Sequence, residues 1–269
     1  MSGIWLEVQA LAGRWFIHSK RRPMVVLAGL FQPFIWLVLF ATVFKNSPMR
    51  EQLGSASYLA FITPGALVFT AFSGALNGGV PILFDRELGF LDRLLVAPLH
   101  SRFSIIWATG LHIFVMSLLQ CGVIVVLTSV MGVQFQGGLS GIFLVLLVLG
   151  LVTLLFTTFS LILAFILRYH FELLSIILII SLPLVFISTA FAPVAYMPKW
   201  LTYLVSINPI TLAVEPLRAV YQQAEWQLGG PIFSSAFGAF SMQTCLIILV
   251  ILNVLAGLMA RQIIRRRLA

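Results

Sequence analysis

The densest chemistry in this chain lies in FDRELGFLDRLLVAPLHSR, residues 84–102. Asp85, Arg86, Glu87, Asp92 and Arg93 place five charges of nearly cancelling sign within nine positions. Carboxylates beside guanidinium groups suit salt bridges and charge-assisted hydrogen bonds to a protein surface. A segment that served only to bind lipid would favour Lys and Arg. Phe84, Leu88, Leu91 and Leu95 recur at i, i+4, i+7 and i+11, one face of a helix, and Pro98 disfavours helix at Ala97. From the residues alone, two readings stay open: a docking helix or an ordinary solvated loop.

Chemistry of other kinds is poorly supplied. The motifs H-E-x-x-H, G-x-S-x-G and G-x-x-x-x-G-K-[ST] are all absent, and four scattered His do not form a metal cluster. Cys121 and Cys245 stand alone in apolar runs and read as buried thiols.

The elements that carry these residues follow from composition. The 269 residues are 61% hydrophobic and only 9% charged, with mean hydropathy +1.08, where a soluble domain is about a quarter charged. The chain is expected to be an all-α polytopic membrane protein. Segments of about 20 apolar residues can cross the hydrocarbon, and six qualify: Met24–Phe44, Tyr58–Leu83, Phe103–Met131, Leu139–Leu167, Leu173–Phe191 and Phe240–Ala260. The first is too long for a cleaved signal core and reads as an anchor. With six spans and the N-terminus inside, twelve of the sixteen basic residues fall on the cytoplasmic side, so both termini and residues 84–102 are expected there. The net charge of +8 then reflects basic loops facing anionic lipid, and no nucleic-acid partner is expected.

Before the first span, Ile4, Trp5, Val8, Leu11, Ala12, Trp15 and Phe16 repeat at helical spacing beside basic residues. This pattern predicts a helix in the membrane interface, in contact with lipid. Between the last two spans, Pro193, Pro198, Pro209 and Pro216 divide an apolar stretch that predicts short helices re-entering the outer membrane region. Within it, Glu215 and Arg218 can pair at i, i+3. Gln32, Asn77, His112, Gln120 and Asn253 lie in or near spans, where an interhelical hydrogen bond is the expected role and substrate contact the alternative. Gly74 and Gly78 form a close-packing pair. No acid lies deep in a span, which disfavours a proton-coupled carrier.

At this level the chain resembles the type-2 ABC exporter permease family. That family's cytoplasmic loop shows an acidic residue, then Gly, then an acid or Thr with Leu-Leu, and a Pro-centred end. Glu87, Gly89, Leu94, Leu95, Ala97 and Pro98 match this order. YMPKWLTYLVSINPITLAVEPLR is similar to a second family landmark, through Met197, Pro198, Trp200, Asn208, Pro209, Thr211, Glu215 and Arg218.

The resemblance implies an interfacial helix at 1–23, a six-span permease domain at 24–260 and a basic tail at 261–269. Within the domain it implies a coupling segment at 84–102 and an external re-entrant segment at 192–239. A separate ATPase subunit would bind ATP and Mg, and this chain would hold no cofactor and be no enzyme by itself. Phe84, Asp85, Arg86, Glu87, Gly89, Leu91, Arg93, Leu94 and Pro98 would couple to that ATPase. Asn208, Pro209, Glu215 and Arg218 would form an outer gate or a structural element. A second permease copy would complete the path for a lipid-linked, glycan or amphipathic drug-like substrate, in a bacterial inner membrane. The alternative is an ATP-independent carrier or a membrane scaffold.

Overall fold

The computed structural model describes residues 2–21, 23–44, 58–90 and 103–268. Ten helices and one β-hairpin are found among them. The helices are α1 (Ser2–Arg21), α2 (Pro23–Val43), α3 (Tyr58–Leu76), α4 (Val80–Glu87), α5 (Phe103–Val130), α6 (Gly138–Ile166), α7 (His170–Phe186), α8 (Lys199–Ile207), α9 (Pro209–Gln222) and α10 (Met242–Leu268). The strands β1 (Pro231–Ser235) and β2 (Gly238–Ser241) pair antiparallel between α9 and α10.

Among the described residues, five helical stretches are long and apolar enough to span a bilayer: Val26–Val43, Tyr58–Glu87, Ser104–Val130, Gly138–Ile166 and Met242–Ile263. The protein is an all-α polytopic membrane protein. The fifth expected span, Leu173–Phe191, is the shorter apolar helix α7, whose 17 residues end at Phe186. Residues 187–191 leave the helix and pack inward, with Ser188, Thr189 and Ala190 buried. Apolar composition alone does not separate a helix from a buried connector. The re-entrant segment is only partly helical, because the hairpin occupies its end. At the other end of the chain, α10 runs unbroken through the basic residues expected as a separate tail.

Helix α3 is the hub. Fifteen of its nineteen residues are buried, and it packs against α2, α5, α6 and α9. Small residues set the distances: Gly74 of α3 lies against Gln120 and Gly78, in the turn just after it, against Ile113, both on α5. This close-packing pair therefore works within the subunit. Of Gln32, Asn77, His112, Gln120 and Asn253, three link helices. Gln120 Nε2 donates to Val26 O at 3.2 Å, Asn253 Nδ2 to Leu151 O at 3.1 Å, and His112 Nε2 lies 2.9 Å from Ser19 Oγ.

Between α3 and α4 the helix tightens into a 3-10 turn at Asn77–Gly79, and Pro81 enters the first turn of α4. A break in a membrane helix frees backbone groups that lipid cannot satisfy. Ser160 of α6 satisfies two of them: its hydroxyl accepts from Gly79 N–H at 2.9 Å and donates to Leu76 O. Gly79 is what lets α6 come this close, since a Cβ there would stand 2.5 Å from Ser160 O. Gly79→Ala is expected to lower stability by about 1–3 kcal/mol through overpacking against backbone. Gly74→Ala, whose Cβ would meet its nearest neighbour at an ordinary 3.5 Å, should cost far less. Thermal melts of the two purified variants in detergent test this difference.

Candidate functional site

The last turn of α4 meets three other helices through four consecutive side chains. Successive helical residues point about 100° apart, so Phe84, Asp85, Arg86 and Glu87 fan out. Asp85 takes a salt bridge from Arg14 of α1. Arg86 donates to Ala164 O and Arg168 O at 3.2 Å each, and to Leu167 O. These are carbonyls at the C-terminus of α6, where a cation complements both the free acceptors and the helix dipole. Glu87 accepts from His170 N–H at 2.5 Å, at the first residue of α7, and lies 2.6 Å from the imidazole Nδ1. An ionised carboxylate can only accept, so Nδ1 carries the proton. Phe84 stacks on the same imidazole at 4.2 Å.

Arg86 and Glu87 therefore cap, side by side, the end of one helix and the start of the next. Glu172 completes the turn between α6 and α7, accepting from the N-cap Tyr169 N–H at 3.5 Å as the acidic member of a capping box and also from Arg168 N–H at 3.1 Å. The charges expected to face outward are in this part of the segment engaged within the chain.

The helix expected to run from Phe84 through Leu95 is interrupted. Leu88 N–H bonds Phe84 O and Gly89 N–H bonds Arg86 O, with Gly89 at φ +67°. A glycine in the left-handed region just past the last helical residue is a common helix stop. Leu88 is left 78% exposed at this turn. Leu91, Arg93, Leu94 and Pro98 lie outside the described residues.

Helix α1 lies along α5. Val8 and Ala12 turn inward against Ala108, Trp15 is buried beside the His112 ring, and Ser104 Oγ donates to Glu7 at 2.9 Å. The Arg14 guanidinium covers the rings of Trp15 and Phe90 at 4.4 and 4.3 Å. Ile4 and Trp5 remain exposed. The apolar stripe of α1 thus divides, with Val8 and Trp15 against protein and Ile4 and Trp5 on the outer face.

At the far end of the bundle, Asn208 joins two helices. Its Oδ1 accepts from Ile210 N–H at 2.8 Å and caps α9, with Pro209 in the first turn. Its Nδ2 donates to Leu184 O at 2.7 Å and to Ile187 O, carbonyls at the end of α7. Further along α9, Arg218 pairs with Glu215, donates to Thr189 O at 2.6 Å and Phe61 O at 3.4 Å, and stacks over the Phe61 ring at 3.8 Å. Both members of the pair are buried. These four residues brace α9 against α3 and the end of α7.

Between α2, α3 and α7 lies a groove of about 300 Å³. Trp36, Phe69 and Phe186 supply aromatic walls, and Gln32, Ser73, Asn77 and Ser181 supply neutral polar groups. Among the described residues, no charged one lines it. Gln32 and Asn77 are the in-span polar residues turned to this groove.

The polytopic helical bundle thus carries a capped charged junction at one end, a buried brace at the other and a lateral groove between them. The chain belongs to the ABC-2 type transporter family, whose model matches residues 6–221, and it is a transporter permease. It is 41% identical to a protein of Cyanophora paradoxa named as a transport permease, ycf38, over 96% of this chain and 89% of the relative. Its Porphyra purpurea counterpart is 40% identical over 97% and 90%. At 25% identity, over 87% of this chain and 79% of the relative, it resembles DrrC of Mycobacterium tuberculosis, named for doxorubicin resistance and as an ABC transporter permease.

Removing one member of a buried ion pair strands the other and typically costs about 3–5 kcal/mol. Arg218→Met is thus expected to depress the melting temperature strongly. Adding Glu215→Gln to it should recover part of the loss, because the stranded carboxylate is gone. A double-mutant cycle by thermal denaturation of purified protein measures that recovery.

Proposed function

We propose that this permease is the membrane half of an ATP-driven exporter, moving an amphipathic substrate out of the cytoplasm with energy from a separate ATPase subunit. The observation that carries the reading is the junction at Phe84–Glu87. A partner that pressed on this one turn would act at once on α1, on the end of α6 and on the start of α7. The exposed Leu88 beside it offers an apolar contact, and residues 91–98 continue the docking segment.

The sequence has no phosphate loop of its own, which fits an energy source on another polypeptide. With α7 counted as a sixth crossing, the positive-inside balance supports placing the junction and both termini in the cytoplasm. The Arg14–Asp85 bridge keeps α1 on the junction's side. A bacterial inner membrane is the setting this orientation suits.

The groove supports a substrate class. Its neutral polar groups among aromatic and aliphatic walls suit an uncharged amphiphile that enters from the lipid side, and its size is at the small end for such sites. A drug-like or lipid-linked molecule fits this better than a polyanionic glycan. The doxorubicin resistance in the name of the M. tuberculosis relative is in keeping with an amphipathic aromatic cargo. A second permease copy would face this groove and complete the path, while Ile4 and Trp5 of α1 would rest in the lipid interface.

Glu87 is a poor probe of docking, because its carboxylate already holds α7. Leu88 is a better one. Leu88→Asp is expected to reduce co-purification of the ATPase by at least about tenfold, the size of an interface hot spot, without loss of the folded permease. Unchanged stoichiometry in the purified complex would rule out the junction as the docking surface.

A further inference from the structure

We infer that α7 is the moving wall of the groove, and that Glu87 and Asn208 are the positioning residues that set its tilt; this rests on the exporter reading above. Half of the residues lining the groove come from α7. Yet only Leu173, Ile177 and Val185 of that helix are buried, so it is held weakly along its side. Its ends are held by polar groups from elsewhere.

At the start of α7, Glu87 takes the His170 N–H and imidazole while Phe84 stacks on the ring. At its end, Asn208 donates to the carbonyls of Leu184 and Ile187. The two grips differ in what stands behind them. Asn208 begins α9, which Arg218 ties to Phe61 of the buried hub α3, so this end is fixed to the core. Glu87 belongs to α4, the short helix that ends at the exposed junction.

Within α4, the neighbouring residue Arg86 is anchored on the C-terminal carbonyls of α6, itself well buried. A rotation of α4 about that anchor moves Glu87, and with it the start of α7, hinging at Tyr169 and the Glu172 cap on Arg168 N–H, while the body of α6 and α3 stay in place. Seventeen residues of helix span about 25 Å, so a tilt of about 10° about the Asn208 end shifts the His170 end by about 4 Å. Motion at the junction thus changes the groove's width without repacking the hub.

The test uses the full permease–ATPase complex in lipid, with Ser181→Cys placed on the groove face of α7. Maleimide labelling of that thiol is measured by peptide mass spectrometry with and without nucleotide. The native Cys121 and Cys245, both buried, report any general loosening in the same sample. In the parent, labelling is expected to change by at least about fivefold between nucleotide states, within the usual range of coupling between sites. Asn208→Asp keeps the oxygen that caps α9 and loses only the donors to α7. This variant and Glu87→Gln should each reduce the change to less than about twofold, with Cys121 and Cys245 still protected.

A full response retained in both variants overturns the assignment. So does labelling of Cys121 or Cys245 in the variants, which would make the effect general unfolding. If the ATPase is bound and the parent shows no response, α7 is not the moving wall although docking stands. If no ATPase binds at all, the exporter reading falls and takes this inference with it.

Discussion

In hydrocarbon, a backbone N–H or C=O without a partner costs several kcal/mol, so every helix that starts, stops or breaks there must find a partner for its end. The break after α3 answers that demand, and the helix ends at the two faces of the bundle are capped in the same way. The break after α3 is filled by the Ser160 hydroxyl, the end of α6 by Arg86, the start of α7 by Glu87 and its end by Asn208. None of these caps is local in sequence to the end it serves: each comes from another helix. The caps are therefore also the tertiary links, and the bundle is joined at its helix ends as much as along its apolar faces.

This changes what charge means in so apolar a chain. With 9% charged residues, a cluster at 85–93 stands out as a surface for something in water. The structure gives its first half another task. Asp85, Arg86 and Glu87 each spend their charge on a different helix, and the acid and base of the pair match the dipoles they meet, cation to a C-terminus and anion to an N-terminus. Mixed sign in the segment is required by that geometry. A docking partner would then meet a rigid turn whose position already reports on several helices, which is a better handle than a flexible charged loop.

The spans, the amphipathic α1 and the charged junction were all legible from periodicity and composition, because each is a property of neighbouring residues. Glu215 and Arg218 were also legible as a pair, through their i, i+3 spacing. The links between distant segments were not. Nothing in the composition around Ser160 marks it as the partner of Gly79, and His170 reads as one residue of a short connector until Glu87 is seen beside it. Asn208 before Pro209 does signal a helix start, yet its second bond to α7 has no local trace. The early end of α7 and the hairpin at β1–β2 were hidden for a related reason. Apolar residues in a connector that packs against α3, or in a short hairpin, look in sequence like more membrane helix.

The contrast between α3 and α7 carries the functional logic furthest. Both border the groove, but α3 is buried on nearly all sides, and displacing it would require repacking the core against close contacts such as Gly79 on Ser160. Packed interiors resist such continuous deformation. Helix α7 buries three residues and leans on its two ends. Tilting it needs only that hydrogen bonds at those ends swivel, and they do not have to break. Coupling between a partner and a transport path is typically worth about 1–3 kcal/mol, too little to reorganise a hub like α3. It is enough to bias a helix held as α7 is, so the weakly packed wall is where a docked partner's work can reach the substrate.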